Sequence, residues 1–199
     1  MLHTEREKLF SGDGNFISLG ITKDGKPMDA ISVPWESTAN AFSMRLPSVY
    51  ITPDDLYDEE IMQKILSMQV VGCYVFTALF DYSFISNFKG LTDLNIYNGK
   101  RIENLDFLLP LENCRLFFLD GATLENIDPI LDVKKGKGGI FQPFTCVGLH
   151  CCRVDDISRF SDEKHSFTEF IVWGNADKEE KKRWRTICTH TYRYYEVEN

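Results

Sequence analysis

Residues 91–133 of this 199-residue chain say nearly the same thing twice: LTDLNIYNGKRIENLDFLLPL, and then at once ENCRLFFLDGATLENIDPILDV. Sliding the sequence by 22 residues aligns Leu94–Leu109 with Leu116–Leu131. Six of those sixteen positions are identical: Leu94/Leu116, Gly99/Gly121, Glu103/Glu125, Asn104/Asn126, Asp106/Asp128 and Leu109/Leu131. Four more keep apolar character, namely Ile96/Phe118, Ile102/Leu124, Leu105/Ile127 and Leu108/Ile130. A fixed period in the twenties is the mark of stacked units that bury one continuous core, because a single such unit cannot cover its own apolar side.

The spacing inside one unit predicts its shape. Leu91, Leu94 and Ile96 outline a short strand whose alternate side chains share a face. Asn98-Gly99 supplies a turn, since both residue types tolerate positive φ. Ile102, Leu105 and Leu108 follow at spacing three, which suits a 3₁₀ or short helical return leg. The chain then comes back beside its first strand, so successive strands are expected to run parallel. A weaker earlier unit fits a lag of 23, pairing Val71 with Leu94, Cys73 with Ile96, Tyr74 with Tyr97, and Phe84-Ile85 with Phe107-Leu108.

This pattern resembles the leucine-rich repeat family, particularly its short 22-residue, internalin-like subtype, over about residues 70–133. The family's L-x-x-L-x-L-x-x-N-x-I-x-x-I-x-x-L-x-x-L maps onto Leu91, Leu94, Ile96, Ile102, Leu105, Leu108 and Leu111. It departs at the asparagine position, where Gly99 follows Asn98. In the second unit Asn113 stands at the Leu91 position, and Cys114 takes the core role after a one-residue slip. The resemblance implies an α/β fold: a short right-handed solenoid with a parallel sheet on its concave face and 3₁₀ or short helical return legs. Flanking α/β segments are expected to cap it. The organisation expected is residues 1–69 as N-terminal strands and a capping helix, 70–133 as repeats, and 134–199 as a repeat-like or capping region.

In the flanks, Thr52 as N-cap, Pro53 at the first helical position and the acids after it predict a helix over 53–68 that feeds strand QVVGCYVF. NFISLGIT and AFSMRLPSVYIT read as strands, with TKDGK as a turn. The KKGKGG run at 134–139 reads as a loop and lacks the spacing and Ser/Thr of a phosphate cradle. FTCVGLHCCRV reads as a further repeat strand, with DDISRF at 155–160 echoing the return leg. FTEFIVWG and YRYYEVE read as strands, with a polar helix near 176–186 between them.

Composition excludes whole classes. A net charge of −8 opposes general nucleic-acid binding, which needs a basic stripe. The lack of an 18-residue apolar run opposes a membrane-spanning helix. MLHTEREKLFSGDG lacks the order of a signal peptide. The six cysteines, at 73, 114, 146, 151, 152 and 188, form no CxxC pair. Cys73 and Cys114 sit inside apolar runs, so free thiols in a reducing cytoplasm are expected.

Chemistry is sparse in the sequence. His150, Cys151 and Cys152 are adjacent, but strand alternation lets only His150 and Cys152 share a side. Packing accounts for this run better than a thiol nucleophile, and a zinc set of Cys146, His150, Cys151 and Cys152 has no known ligand spacing. His165 and His190 stand alone. The recurring acids Glu103/Glu125 and Asp106/Asp128 follow the repeat rather than a paired acid–base plan. No enzyme, cofactor or metal is expected.

With Leu94, Ile96, Leu116 and Phe118 turned inward, the concave face is expected to carry Gly72, Tyr74, Asp93, Asn95, Tyr97, Arg115, Phe117 and Leu119. Aromatics with an arginine and few lysines are what binding hot spots use. The expected function is non-enzymatic binding of another protein by this face. The alternative from another class is a thiol-dependent enzyme or zinc-binding protein using the Cys146–Cys152 region.

Overall fold

The structure, a computed structural model, describes residues 15–20, 49–133, 146–162, 169–173 and 193–194, together with Glu179, Lys182 and Trp184. The chain is α/β, with few and short helices and a sheet of parallel strands. The strands are β1 (Asn15–Leu19), β2 (Val49–Ile51), β3 (Val70–Val75), β4 (Asp93–Ile96), β5 (Leu116–Asp120), β6 (Thr123–Asn126), β7 (Cys146–His150), β8 (Arg153–Asp156), β9 (Glu169–Trp173) and β10 (Arg193–Tyr194). Eight of them form one sheet in the order β10-β9-β7-β5-β4-β3-β1-β2, and β6 pairs with β8 in a second. Every pairing described is parallel. From β3 onward each new main-sheet strand lies beside the previous one, so the strands advance across the sheet in chain order. At the other end, β1 and β2 extend this same sheet.

Parallel strands need a connection that returns each strand's end to the next strand's start. Here a side chain builds that return at the same place four times. Asp81, Asn104, Asn126 and Asp156 each accept a hydrogen bond from the backbone N–H two residues on, at 2.8–3.1 Å. Asn and Asp suit this because their short side chains stand in for a backbone acceptor. The residue after each, Tyr82, Leu105, Ile127 or Ile157, is buried and begins a single 3₁₀-type turn. Its carbonyl accepts from Ile85, Leu108, Ile130 or Phe160, which is buried in turn. The identities Asn104/Asn126 and Asp106/Asp128 thus belong to the turn. DDISRF, read as an echo of the return leg, makes this same turn.

One face of the main sheet packs on the return legs and forms the principal core. Its two rows follow from the register: Val49, Ile17, Cys73, Leu94, Phe117, Val147 and Phe170, then Ile51, Leu19, Val75, Ile96, Leu119, Leu149 and Val172. All are buried. The opposite face carries a smaller apolar cluster of Phe16, Tyr74, Phe76, Tyr97, Phe118 and Ile171.

This register corrects the expected orientation of β5. Phe117 and Leu119 face the principal core opposite Leu94 and Ile96, while Leu116 and Phe118 lie on the other face. The strands repeat at a lag of 23, and only the return legs at 22, so the second unit is one residue shorter between strand and turn. LFFL is apolar on both sides, so its sequence carries no polar marker of phase, and a one-residue slip swaps the faces. The earlier unit also shifts: Cys73, not Val71, lies opposite Leu94. That is a two-residue change, so its faces are kept.

Before β3, the single helix expected over 53–68 is two pieces. Thr52 and Asp55 exchange hydrogen bonds around a 3₁₀ turn at Pro53–Tyr57. Asp58 then starts α1 (Glu59–Ser67) by accepting from the N–H groups of Glu60 and Ile61. An aspartate that caps a new helix ends the old one, because its own backbone is extended. Two further short helices, α2 (Pro129–Asp132) and α3 (Ser158–Asp162), lie on the later return legs, where Arg159 forms a two-pronged ion pair with Asp132. Among the described residues no helix is long and apolar enough to cross a membrane. The TKDGK turn, the KKGKGG loop, Cys188, His165 and His190 lie outside the described residues, as does most of the 176–186 segment. Trp184 of that segment is fully buried against Phe170, ring centroids 5.9 Å apart.

Candidate functional site

Of the eight residues expected on a free binding face, six are buried by the chain itself. Tyr74, Asn95 and Tyr97 do lie on the face opposite the principal core, but at only 2, 3 and 4% exposure. The Phe76 and Tyr97 rings stack at 4.5 Å, and Tyr97 meets Phe118 at 5.2 Å. Gly72 is the seat of the Phe16 ring, which occupies the space a Cβ would need. Phe117 and Leu119 are in the principal core, as above. Asp93 is half-buried, and Arg115 alone of the eight is exposed. Packing between strands, rather than a partner, accounts for these aromatics.

The surface features with chemical character lie instead along the rim at the carboxyl ends of the strands. The first follows β3 and β4. Phe80 is 84% exposed, and the Arg101 guanidinium of the next unit sits 4.0 Å from its ring centroid. Cation–π contact of this kind is worth about 0.5–1 kcal/mol at an exposed site. Beneath the pair opens a cleft of about 430 Å³ floored by Tyr82, Ile102 and Phe107 and edged by Asp81, Glu103 and Asp106. The Tyr82 hydroxyl is tied into the floor, donating to Asn98 O at 3.1 Å and accepting from Leu79 N–H at 3.2 Å. The acids leave the rim of the cleft negative around one cation.

The second feature ends β5 and β7. Asp120 and His150 are directly opposite in the register, each the last residue of its strand and on the same face. His150 Nδ1 lies 2.9 Å from Asp120 Oδ1, with both side chains about one-seventh exposed, at 13 and 14%. Gly121, at φ +75°, turns the chain away just beyond, and its N–H donates to His150 O at 2.9 Å. Cys151 is exposed and has φ +50°, the one non-glycine in the left-handed region among the described residues. That turn ends the strand alternation and carries Cys151 Sγ to 3.5 Å from Nε2 of its neighbour's ring. Sequence reading missed the contact for this reason: alternation assumes extended backbone, and nothing in HCC signals positive φ.

The alternative zinc set of Cys146, His150, Cys151 and Cys152 does not assemble. Cys146 is at the far end of β7, four residues from His150, or roughly 13 Å along an extended strand. Cys152 Sγ turns inward and donates to Leu119 O and His150 O at 3.4 Å. Burial pushes its thiol up to about 12, and raises Cys73 and Cys114 as well, so all three are inert packing thiols at neutral pH. Ligand atoms of Asp120, His150 and Cys151 lie within 4.8 Å of one another. Asp120 Oδ1 meets the ring at Nδ1, and Cys151 Sγ lies 3.5 Å from Nε2 on the same side of the ring as the carboxylate.

Compared with models of protein families, with curated proteins and with solved structures, the chain gives no match.

Proposed function

We propose that the chain is a leucine-rich-repeat solenoid that works as a non-enzymatic protein-binding module, and that it reads its partner with the carboxyl-end rim rather than with the face of its sheet. The single observation that carries this is Phe80, a large aromatic held 84% exposed by the Arg101 stacked on it over an acidic cleft. Large exposed aromatics oppose solubility, and aromatic–arginine pairs in a concave, partly apolar setting are what binding hot spots use. The solenoid reading is supported by the four identical turns and by strands that advance across the sheet in chain order. The partner that fits is a protein segment presenting a basic side chain beside an apolar one. The apolar group would pack on Phe80, and the basic group would sit among Asp81, Glu103 and Asp106.

The test is affinity capture from the native host's lysate by the wild type and by the Phe80→Ala, Arg101→Ala double variant. Both side chains are exposed, so the variant is expected to keep the wild-type melting temperature within a few degrees. It should lose the proteins that the wild type retains reproducibly. An identical captured set from both chains sinks the rim assignment, as does unfolding of the variant.

A further inference from the structure

We infer that Asp120, His150 and Cys151 form a binding site for one zinc ion, with a carboxylate, an imidazole and a thiolate as ligands and a fourth position open to solvent. Three observations carry it. The first is convergence. One ligand atom from each residue lies within 4.8 Å of the other two, with Nδ1 and Oδ1 at 2.9 Å and Nε2 and Sγ at 3.5 Å. Donors bound tetrahedrally to zinc at roughly 2.0–2.3 Å stand roughly 3.3–3.7 Å from one another. The ring lends one nitrogen to the ion. The remaining closure, at most about 1 Å, falls to Cys151, whose exposed side chain has room to turn about χ1.

The second observation is how the fold fixes the set. β5 and β7 are paired over five residues, and their last members, Asp120 and His150, stand opposite in the register. Their side chains are only 14 and 13% exposed, so water screens a cation between them weakly. Gly121 N–H donates to His150 O at 2.9 Å and ties the two strand ends together. The left-handed turn at Cys151, φ +50°, then brings its sulfur back beside the ring.

The third is the chemistry of the donors. Magnesium and calcium need several oxygens and would find one carboxylate here, whereas copper(I) prefers an all-sulfur setting. A mixed set of sulfur, nitrogen and oxygen suits zinc. Coordination removes the thiol proton, and thiolate and carboxylate together then balance the two charges of the ion. Among the described cysteines only Cys151 is exposed, and Cys152 is turned onto backbone carbonyls. Three protein ligands with one open position make the pattern of zinc sites that keep a water or admit an incoming ligand, unlike closed four-ligand structural sites. None of the three residues lines the Phe80 cleft, so this site stands or falls separately from the recognition rim.

The test titrates zinc chloride into the reduced full chain in competition with a chromophoric chelator. One zinc per chain is expected, and magnesium at the same concentration should not displace it. Cobalt(II) in place of zinc should give a thiolate-to-metal charge-transfer band and the strong visible bands of a four-coordinate ion. Cys151→Ser and His150→Gln should each weaken zinc binding by about 100-fold or more, and Asp120→Asn by about tenfold or more. Zinc should also slow alkylation of Cys151 by iodoacetamide about tenfold or more, read by peptide-resolved mass spectrometry on the wild type, a comparison that needs no variant. Full affinity in any of the three variants overturns the set. So does a wild type that takes up no stoichiometric zinc, a cobalt complex without the thiolate band, or zinc that protects another cysteine instead of Cys151.

Discussion

Phe117 is the sharpest place to perturb this fold. Its side chain is fully buried, in the row between Leu94 and Val147, at the middle of the eight-stranded sheet. Truncation to alanine removes a whole ring from a packed interior with strands fixed on both sides. The site cannot collapse onto the void without breaking two parallel ladders, so the cost falls in the usual range for such a deletion, about 3–5 kcal/mol. That is a large part of the roughly 5–15 kcal/mol that holds a domain together. In urea, at a slope of about 2 kcal/mol per molar, the midpoint should fall by about 2 M. Phe117→Leu, which keeps most of the volume, should cost only about 1–2 kcal/mol. Arg115→Ala, two residues away and exposed, should stay within about 0.5 kcal/mol of wild type. A Phe117→Ala chain as stable as the Arg115→Ala chain would refute the register and return Phe117 to the surface.

Two further outcomes are expected. Gly72→Ala puts a Cβ 2.0 Å from Phe16 Cδ1, so it should cost about 1–3 kcal/mol by forcing the ring aside. Combined with Phe16→Ala it should cost less than the two single changes added together, and strict additivity in a double-mutant cycle would show that the ring does not sit on the glycine. Stability should also fall as pH rises above about 9. Burial raises the thiols of Cys73 and Cys114 above their ordinary 9.0, so the unfolded chain releases protons that the folded chain keeps. Folding is favoured fully below that pH and progressively less above it; urea midpoints that stay flat from about pH 8 to 10.5 would contradict this, and Cys114→Ala should shrink the decline.

Much of the framework could be read directly from residues 91–133. The parallel sheet follows from a short period with one strand per unit, and the amides at 104 and 126 recur because each turn needs an acceptor for the backbone N–H two residues on. The phase of β5 could not be read, since a strand covered on both faces loses the polar alternation that marks inside from outside. The chance likeness of LNI to LFF at a lag of 22 then pulled the alignment one residue away from the pairing that packing selects. The Asp120–His150 contact was hidden for a different reason. It joins residues 30 apart across a longer unit, and only the register of β5 with β7 sets them opposite. Cys151 was the hardest to place, because an αL residue that is neither glycine nor asparagine leaves no trace in composition.

The spacing of equivalent core positions along the strands carries an implication for how such a chain can change. Cys73 to Leu94, Leu94 to Phe117, and Phe117 to Val147 are steps of unequal length, yet each lands in the same row with the same turn behind it. Alignment is therefore renewed locally at every crossing rather than kept by a metronome running the length of the protein. Insertions between an anchor in a strand and the next turn can be absorbed where they occur, without throwing later units out of step. An engineer could lengthen one crossing to graft a new loop beside the rim and expect its neighbours to stay in place.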